Sequence, residues 1–357
     1  MNTTEARATR WRRDVLGHGY ECMDLPLKPD EEGPVHATLI RYAPPAPQAT
    51  QNGVLDFLSS FTKRRRRPVP ADPGGAPRVV LYLHGWADYF LQTELAEYLT
   101  ASGFYFYAVD LRKFGRSLLP GQTPGYITDL SAYDEDLAAA LVEIERDVAE
   151  RTGDTTTPTI HMLAHSLGGL IGALWADRNP GRLGTLVLNS PWLELQGSSL
   201  VRSIAMHLVE PFARTDPKRP FRFPEMPAYW ESVSNEAHGE WILDPLWRPR
   251  TSFPIRAGWT KAVLAGHAAV ERKLAIDSPV LVLLSGRTRI QAEWTADLMR
   301  ADAVIDVEET SRRALGLARR TAVFRYPGAL HDVFLSRRTV RQQAYRDVAV
   351  WLAAYPY

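Results

Sequence analysis

Residues 162–176 read MLAHSLGGLIGALWA. An apolar strand-like run reaches Ala164, a serine follows at 166, and a Gly-Gly pair opens a stretch of helical character. At such a strand–turn–helix junction a serine sits on a sharp turn, its oxygen raised to the carboxyl edge of a sheet. Small residues two before and two after it let strand and helix approach closely. Here they are Ala164 and Gly168, so A-H-S-L-G departs by one methyl group from the usual pattern, which begins with glycine. Ser166 is read as a nucleophile, with a simple helix cap as the plainer alternative.

Working outward, short apolar runs alternate with helical stretches. Strands are expected at Arg78–Leu83, Tyr105–Val109, Thr159–Ala164 and Thr185–Leu188, with helices at Leu91–Ser102, Asp129–Arg151 and Leu167–Asp177. This rhythm predicts an α/β fold, a mostly parallel, doubly wound sheet with helices on both faces. Two further strand-like runs precede it, Glu21–Leu27 and Val35–Tyr42. The rhythm stops after Leu193 and resumes at Pro279–Leu284, Thr321–Tyr326 and a last helix near Arg337–Ala354. The organisation expected is a core of residues 1–193 and 276–357, a loop insertion at 44–77, and a cap or lid at 194–275. The loop carries a basic run, Lys63–Arg67, read as a solvated tip.

Two further blocks carry chemistry. LHGWADYF (83–90) follows a buried strand, and its His-Gly pair resembles the turn that supplies a backbone N–H to an oxyanion hole, which would be that of Trp86 with Leu167 giving the other; an ordinary strand-to-helix turn is the plainer alternative. YPGALHDVFLS (326–336) puts His331 in a loop after a strand and a Pro-Gly turn, at the same sheet edge. A histidine there takes the Ser166 proton and returns it to the leaving group. His18, His84 and His165 are read as structural, His161 lies inside a strand, and Asp332 is expected at the surface.

In this order the three blocks resemble the α/β-hydrolase superfamily, and most of all its monoacylglycerol-lipase and serine-aminopeptidase-like branch with an inserted cap. VDLRKFGRS (109–117) adds to the likeness, although Lys113 stands where that branch has the first glycine of its D-x-R-G-x-G-x-S run. The resemblance implies the order serine, acid, histidine, with the acid shortly after the strand ending at LVLLSG. That place holds Arg287, Thr288 and Arg289. Residues 287–301 are therefore read as an insertion and the acid as Asp302, whose surroundings resemble the family's acid site. Asp306 is the competing acid or a helix cap, and Asp297 and Glu293 are more distant candidates.

Bulk properties limit the alternatives. The 42 basic and 41 acidic residues nearly cancel, which gives no reason to expect nucleic acid or an anionic membrane as the main partner. The single cysteine, Cys22, allows no intrachain disulfide and reads as a half-buried strand residue. With no signal-peptide core and no apolar run of membrane-spanning length, a cytoplasmic protein is expected. No metal or organic cofactor is implied. The expected activity is cleavage of a small-molecule carboxylic ester through an acyl-enzyme, with oligomeric state open. The alternatives are an aminopeptidase-like amidase, a thioesterase or acyltransferase, or a non-catalytic binding protein on the same scaffold. The cap's aromatics, including Trp192, Trp230, Trp241, Trp247 and Trp259, serve either as its own core or as the lining of an apolar pocket.

Overall fold

A computed structural model describes residues 10–44, 75–194, 208–221 and 227–355. The basic run at 63–67 and most of the apolar stretch 199–209 lie outside them. The described strands are β1 (Arg12–Arg13), β2 (Tyr20–Asp30), β3 (Gly33–Tyr42), β4 (Arg78–Leu83), β5 (Tyr105–Asp110), β6 (Thr159–His165), β7 (Thr185–Asn189), β8 (Val280–Ser285) and β9 (Thr321–Tyr326). They form one sheet in the order β1-β2-β3-β5-β4-β6-β7-β8-β9. The first three strands pair antiparallel, β3 pairs antiparallel with β5, and every pairing from β5 to β9 is parallel.

The helices are α1 (Thr93–Ala101), α2 (Tyr133–Thr152), α3 (Leu167–Arg178), α4 (Ala228–Val233), α5 (Ala257–Glu271), α6 (Val307–Ala314) and α7 (Arg338–Ala354). Alternate residues of one strand feed opposite layers, as the two-residue period of a strand requires. Val79, Leu81 and Leu83 pack with apolar residues of α2, α3 and α5, whereas Val80 and Tyr82 pack with those of α1 and α7. Both faces are thus covered, which is why the parallel strands read as continuous apolar runs. Helix α2 starts four residues later than the periodicity suggests. Asp129 instead caps a 3₁₀ turn, Leu130–Ala132, by accepting the Ser131 N–H.

Between β7 and β8 the described residues hold a helical segment at 208–215, then α4 and α5, and isolated bridges in place of strands. Helix α5 packs its buried Trp259, Val263 and Val270 into the same apolar layer as α3. Among the described residues no helix is long and apolar enough to cross a membrane. Because β4 and β6–β9 run parallel, their C-terminal ends share one edge, and the loops leaving that edge can meet.

Candidate active site

Ser166 stands between β6 and α3 with φ 51°, a left-handed backbone that a non-glycine residue adopts at some cost. The turn is held by its own backbone: Ser166 N–H donates to Asn189 O at the end of β7, and Ser166 O accepts from Gly169 N–H and Trp192 N–H. Two glycines let the turn that follows β4, residues 84–86, lie directly against it. A Cβ on Gly168 would come within 2.3 Å of the His84 carbonyl oxygen, and one on Gly85 within 3.1 Å of Ser166 Cβ. The Trp86 and Leu167 N–H groups donate to no group among the described residues.

His331 leaves β9 through the Pro327–Gly328 turn, and its loop is fastened on both sides. Ser285 Oγ donates to Ala329 O at 2.7 Å, and Leu330 N–H donates to Ser336 Oγ at 2.9 Å. The imidazole Nε2 lies 2.9 Å from Ser166 Oγ, and its Nδ1 lies 2.9 Å from Asp302 Oδ2. Asp302 is fully buried, and its other oxygen accepts the Val304 and Ile305 N–H groups at 2.8 and 2.9 Å. These bonds hold the carboxylate aimed at the imidazole.

The way the chain reaches Asp302 refines the insertion expected at 287–301. Asp302 N–H donates to Arg287 O and Arg289 N–H donates to Asp302 O, so Thr288 and Asp302 form a bridge. The excursion proper is 290–301, closed at its neck by residues that continue the direction of β8. Asp306 does not face His331; it caps α6, accepting the Glu308 and Glu309 N–H groups. Asp297 lies at the surface beside Arg287, and Glu293 is exposed.

Asp332, expected at the surface, is completely buried. It turns away from His331 and accepts from Gln92 Nε2 at 2.8 Å, Asn189 Nδ2 at 2.6 Å and Phe334 N–H at 2.9 Å. Neighbouring residues in an extended loop point to opposite sides, and here the second side is also interior. His84 and His165 are buried and hydrogen-bonded to backbone. His165 donates from Nδ1 to Asn189 O, and burial lowers its pKa, so it stays neutral beside His331. Lys113 has φ 62°, which accounts for a glycine in the family run. The lysine is fully buried, pairing with Asp30 at 2.6 Å and Glu32 at 2.7 Å. Cys22 is buried in β2, and burial pushes its thiol up to about 12, which leaves it unreactive. Among the described residues no group of three His, Cys, Asp or Glu could hold a metal ion.

Aromatic side chains from between β7 and β8 reach the turn that follows β4. The Trp86 ring lies 4.0 Å from that of Trp259 and 5.9 Å from that of Phe253, and Trp192 stacks on Trp259 at 6.0 Å.

Known proteins resemble this chain along most of its length. The monoacylglycerol lipase of Mycolicibacterium smegmatis is 25% identical over 293 residues, covering 80% of this chain and 90% of that protein. Among solved structures, a Paleococcus ferrophilus monoacylglycerol lipase aligns with TM-score 0.53 and 21% identity, covering 79% of this chain and 96% of its own. A Bacillus coagulans carboxyl esterase aligns with TM-score 0.58 and 13% identity, over 94% and 99%. At these identities the structures establish the fold: an α/β-hydrolase sheet. The serine aminopeptidase, S33, family matches residues 75–337, from just before β4 past the His331 loop. The chain therefore belongs to that family, as a hydrolase of its monoacylglycerol-lipase-like branch.

Proposed function

We propose that the chain is a serine esterase acting on apolar, lipid-like carboxylic esters. Ser166 attacks the carbonyl, His331 takes its proton and passes it to the leaving alcohol, and Asp302 holds the imidazole tautomer and stabilises the imidazolium. Trp86 and Leu167 N–H groups stabilise the oxyanion. Water then adds by the same route and releases the acid. The observation that carries this reading is the buried line Ser166–His331–Asp302, with both links at 2.9 Å.

The choice of ester over a peptide with a free amino end rests on charge. Such an amine needs an unpaired carboxylate near the site. In the insertion Glu194 pairs with Arg313, Glu210 with Arg214 and Lys261, Glu231 with Arg250, and Glu240 with Arg341. Glu236 is exposed, and Glu225 lies outside the described residues. The aromatic group around Trp86 and Trp259 suits an apolar acyl or alcohol part, and the M. smegmatis relative is named a monoacylglycerol lipase. In this reading residues 194–275 are the cap over the site.

The test is hydrolysis of p-nitrophenyl esters from acetate to long acyl by wild type, Ser166→Ala and Asp302→Asn. Ser166→Ala abolishes turnover, and Asp302→Asn lowers kcat by roughly 10³–10⁴-fold through loss of the productive tautomer. Activity unchanged in Ser166→Ala overturns the mechanism. A wild type that hydrolyses aminoacyl anilides and not esters overturns the substrate class.

A further inference from the structure

Behind His331 lies a second polar network that the reaction as written does not use. Asp88, four residues after His84, is buried and pairs with Arg248 of the insertion, Oδ1 to Nη1 at 2.7 Å. Burial raises the Asp88 pKa, and Arg248, His165, His84 and the Tyr89 N–H together more than offset this, so the carboxyl stays below its ordinary value. The guanidinium also faces Tyr229, 5.5 Å from its ring centre, and the Asp332 carboxylate. Tyr229 in turn touches the base loop twice. Its hydroxyl accepts the Asp332 N–H at 3.1 Å, and its ring stands edge-on to the His331 imidazole at 5.3 Å. Arg248 is itself fixed: its N–H donates to Asp244 O, and its carbonyl accepts from Trp230 Nε1.

A buried ion pair adds little net stability, because desolvation consumes most of the attraction. A cation carried by the insertion and buried between two carboxylates of the core does more for placement and charge. The His331 ring meets Asp302 beyond β8, His165 on β6 at 4.9 Å and Tyr229 on α4, while the Asp332 and Asp88 carboxylates lie behind it, against His165 and Arg248. Asp88 and Asp332 are buried carboxylates, and Arg248 is the cation set between them.

We infer that Arg248 and Tyr229 of the insertion are positioning residues for the hydrolysis: together they hold the His331 loop against the oxyanion turn and balance the buried charge around the base. The insertion then completes the catalytic machinery as well as covering it. This rests on the esterase reading above.

The experiment compares wild type, Tyr229→Phe, Arg248→Met, Arg248→Lys and the double variant Asp88→Asn/Arg248→Met. It measures kcat and KM for a p-nitrophenyl ester across pH, fluorophosphonate labelling of Ser166, and thermal melting. Arg248→Met leaves the buried Asp88 and Asp332 carboxylates behind His331 without their cation. Its kcat falls at least about tenfold with little change in KM, and the acid limb of kcat/KM moves to higher pH, since an unpaired carboxylate favours the imidazolium. Neutralising Asp88 in the double variant returns the limb to its wild-type position, and Arg248→Lys restores part of kcat. Tyr229→Phe, which keeps the ring and removes the hydroxyl, lowers kcat severalfold without changing the melting temperature. An acid limb in Arg248→Met that superposes on wild type overturns the inference. If Arg248→Met does not fold, a Tyr229→Phe protein with wild-type kcat and pH profile overturns it equally. A wild type that takes no fluorophosphonate overturns the esterase reading and this inference with it. A labelled wild type with an unmoved limb removes this inference alone.

Discussion

His84 does its work through one proton. Its Nε2 accepts the Leu111 N–H at 3.0 Å, so the proton resides on Nδ1, 2.7 Å from the Gly85 carbonyl oxygen. In a trans peptide the carbonyl and the next N–H point in opposite directions. Holding Gly85 O therefore fixes where the Trp86 N–H points, which is toward the proposed oxyanion. His84→Ala is expected to lower kcat by about 10- to 100-fold with KM nearly unchanged, less than or equal to the loss of a whole oxyanion donor. Equal falls in kcat and folded fraction would show a purely structural role. At this scale the sequence is legible where chemistry dictates residue type, as at Ser166 and His331. Ala164 shows how mild a departure can be: its strand position is buried, and the helix beside it places Gly172 opposite, where a Cβ would lie 3.3 Å from that of Ala164. Lys113 was legible only as a missing glycine. Its acidic partners come from β2 and from the turn between β2 and β3, some eighty residues away, and no local pattern announces them.

The loop between β8 and α6 tests how far an element can be read. Asp302 stood out by its resemblance to a family acid site, while its distance from the strand argued against it. The bridge at Thr288 and Asp302 removes that difficulty, because it ties off 290–301 as a side excursion. Asp306, the rival acid, is an N-cap in the structure. Asp306→Ala should then keep full esterase activity while costing about 1 kcal/mol of stability, read as a lower urea midpoint. Loss of activity beyond the loss of folded protein would return Asp306 to the site. Asp332 was misread for a physical reason: the partners that make its burial tolerable, Gln92 and Asn189, are 240 and 143 residues away. Burial of a carboxylate is decided by who waits for it, and sequence separation of that size hides the answer.

Across the whole molecule the inner parallel strands β4–β8 are legible because each is buried on both faces, but the same burial sets a limit on acid stability. His161 in the middle of β6 is fully buried, its Nδ1 3.0 Å from Thr185 Oγ1 on β7 and its ring edge-on to Phe104. Burial, helped by the nearby Arg78 charge, pulls its pKa from 6.5 down to about 4. The folded state therefore keeps the ring neutral in a range where the unfolded chain protonates it. Stability from this group is complete above pH 6.5, falls as the pH drops through that window, and levels off near pH 4, a total of about 3 kcal/mol. Carboxylates held low by cations, such as Asp14 beside Arg116 and Glu32 beside Lys113, act in a separate and more acidic window. Their loss is common to wild type and to His161→Gln, so it cancels in the difference. Urea unfolding of both proteins between pH 7.5 and 4 should give a steeper decline for wild type, the gap between them changing by about 3 kcal/mol over the window. Parallel curves would mean that the folded imidazole takes up its proton as readily as the unfolded one, and that the acid sensitivity of this fold has another source.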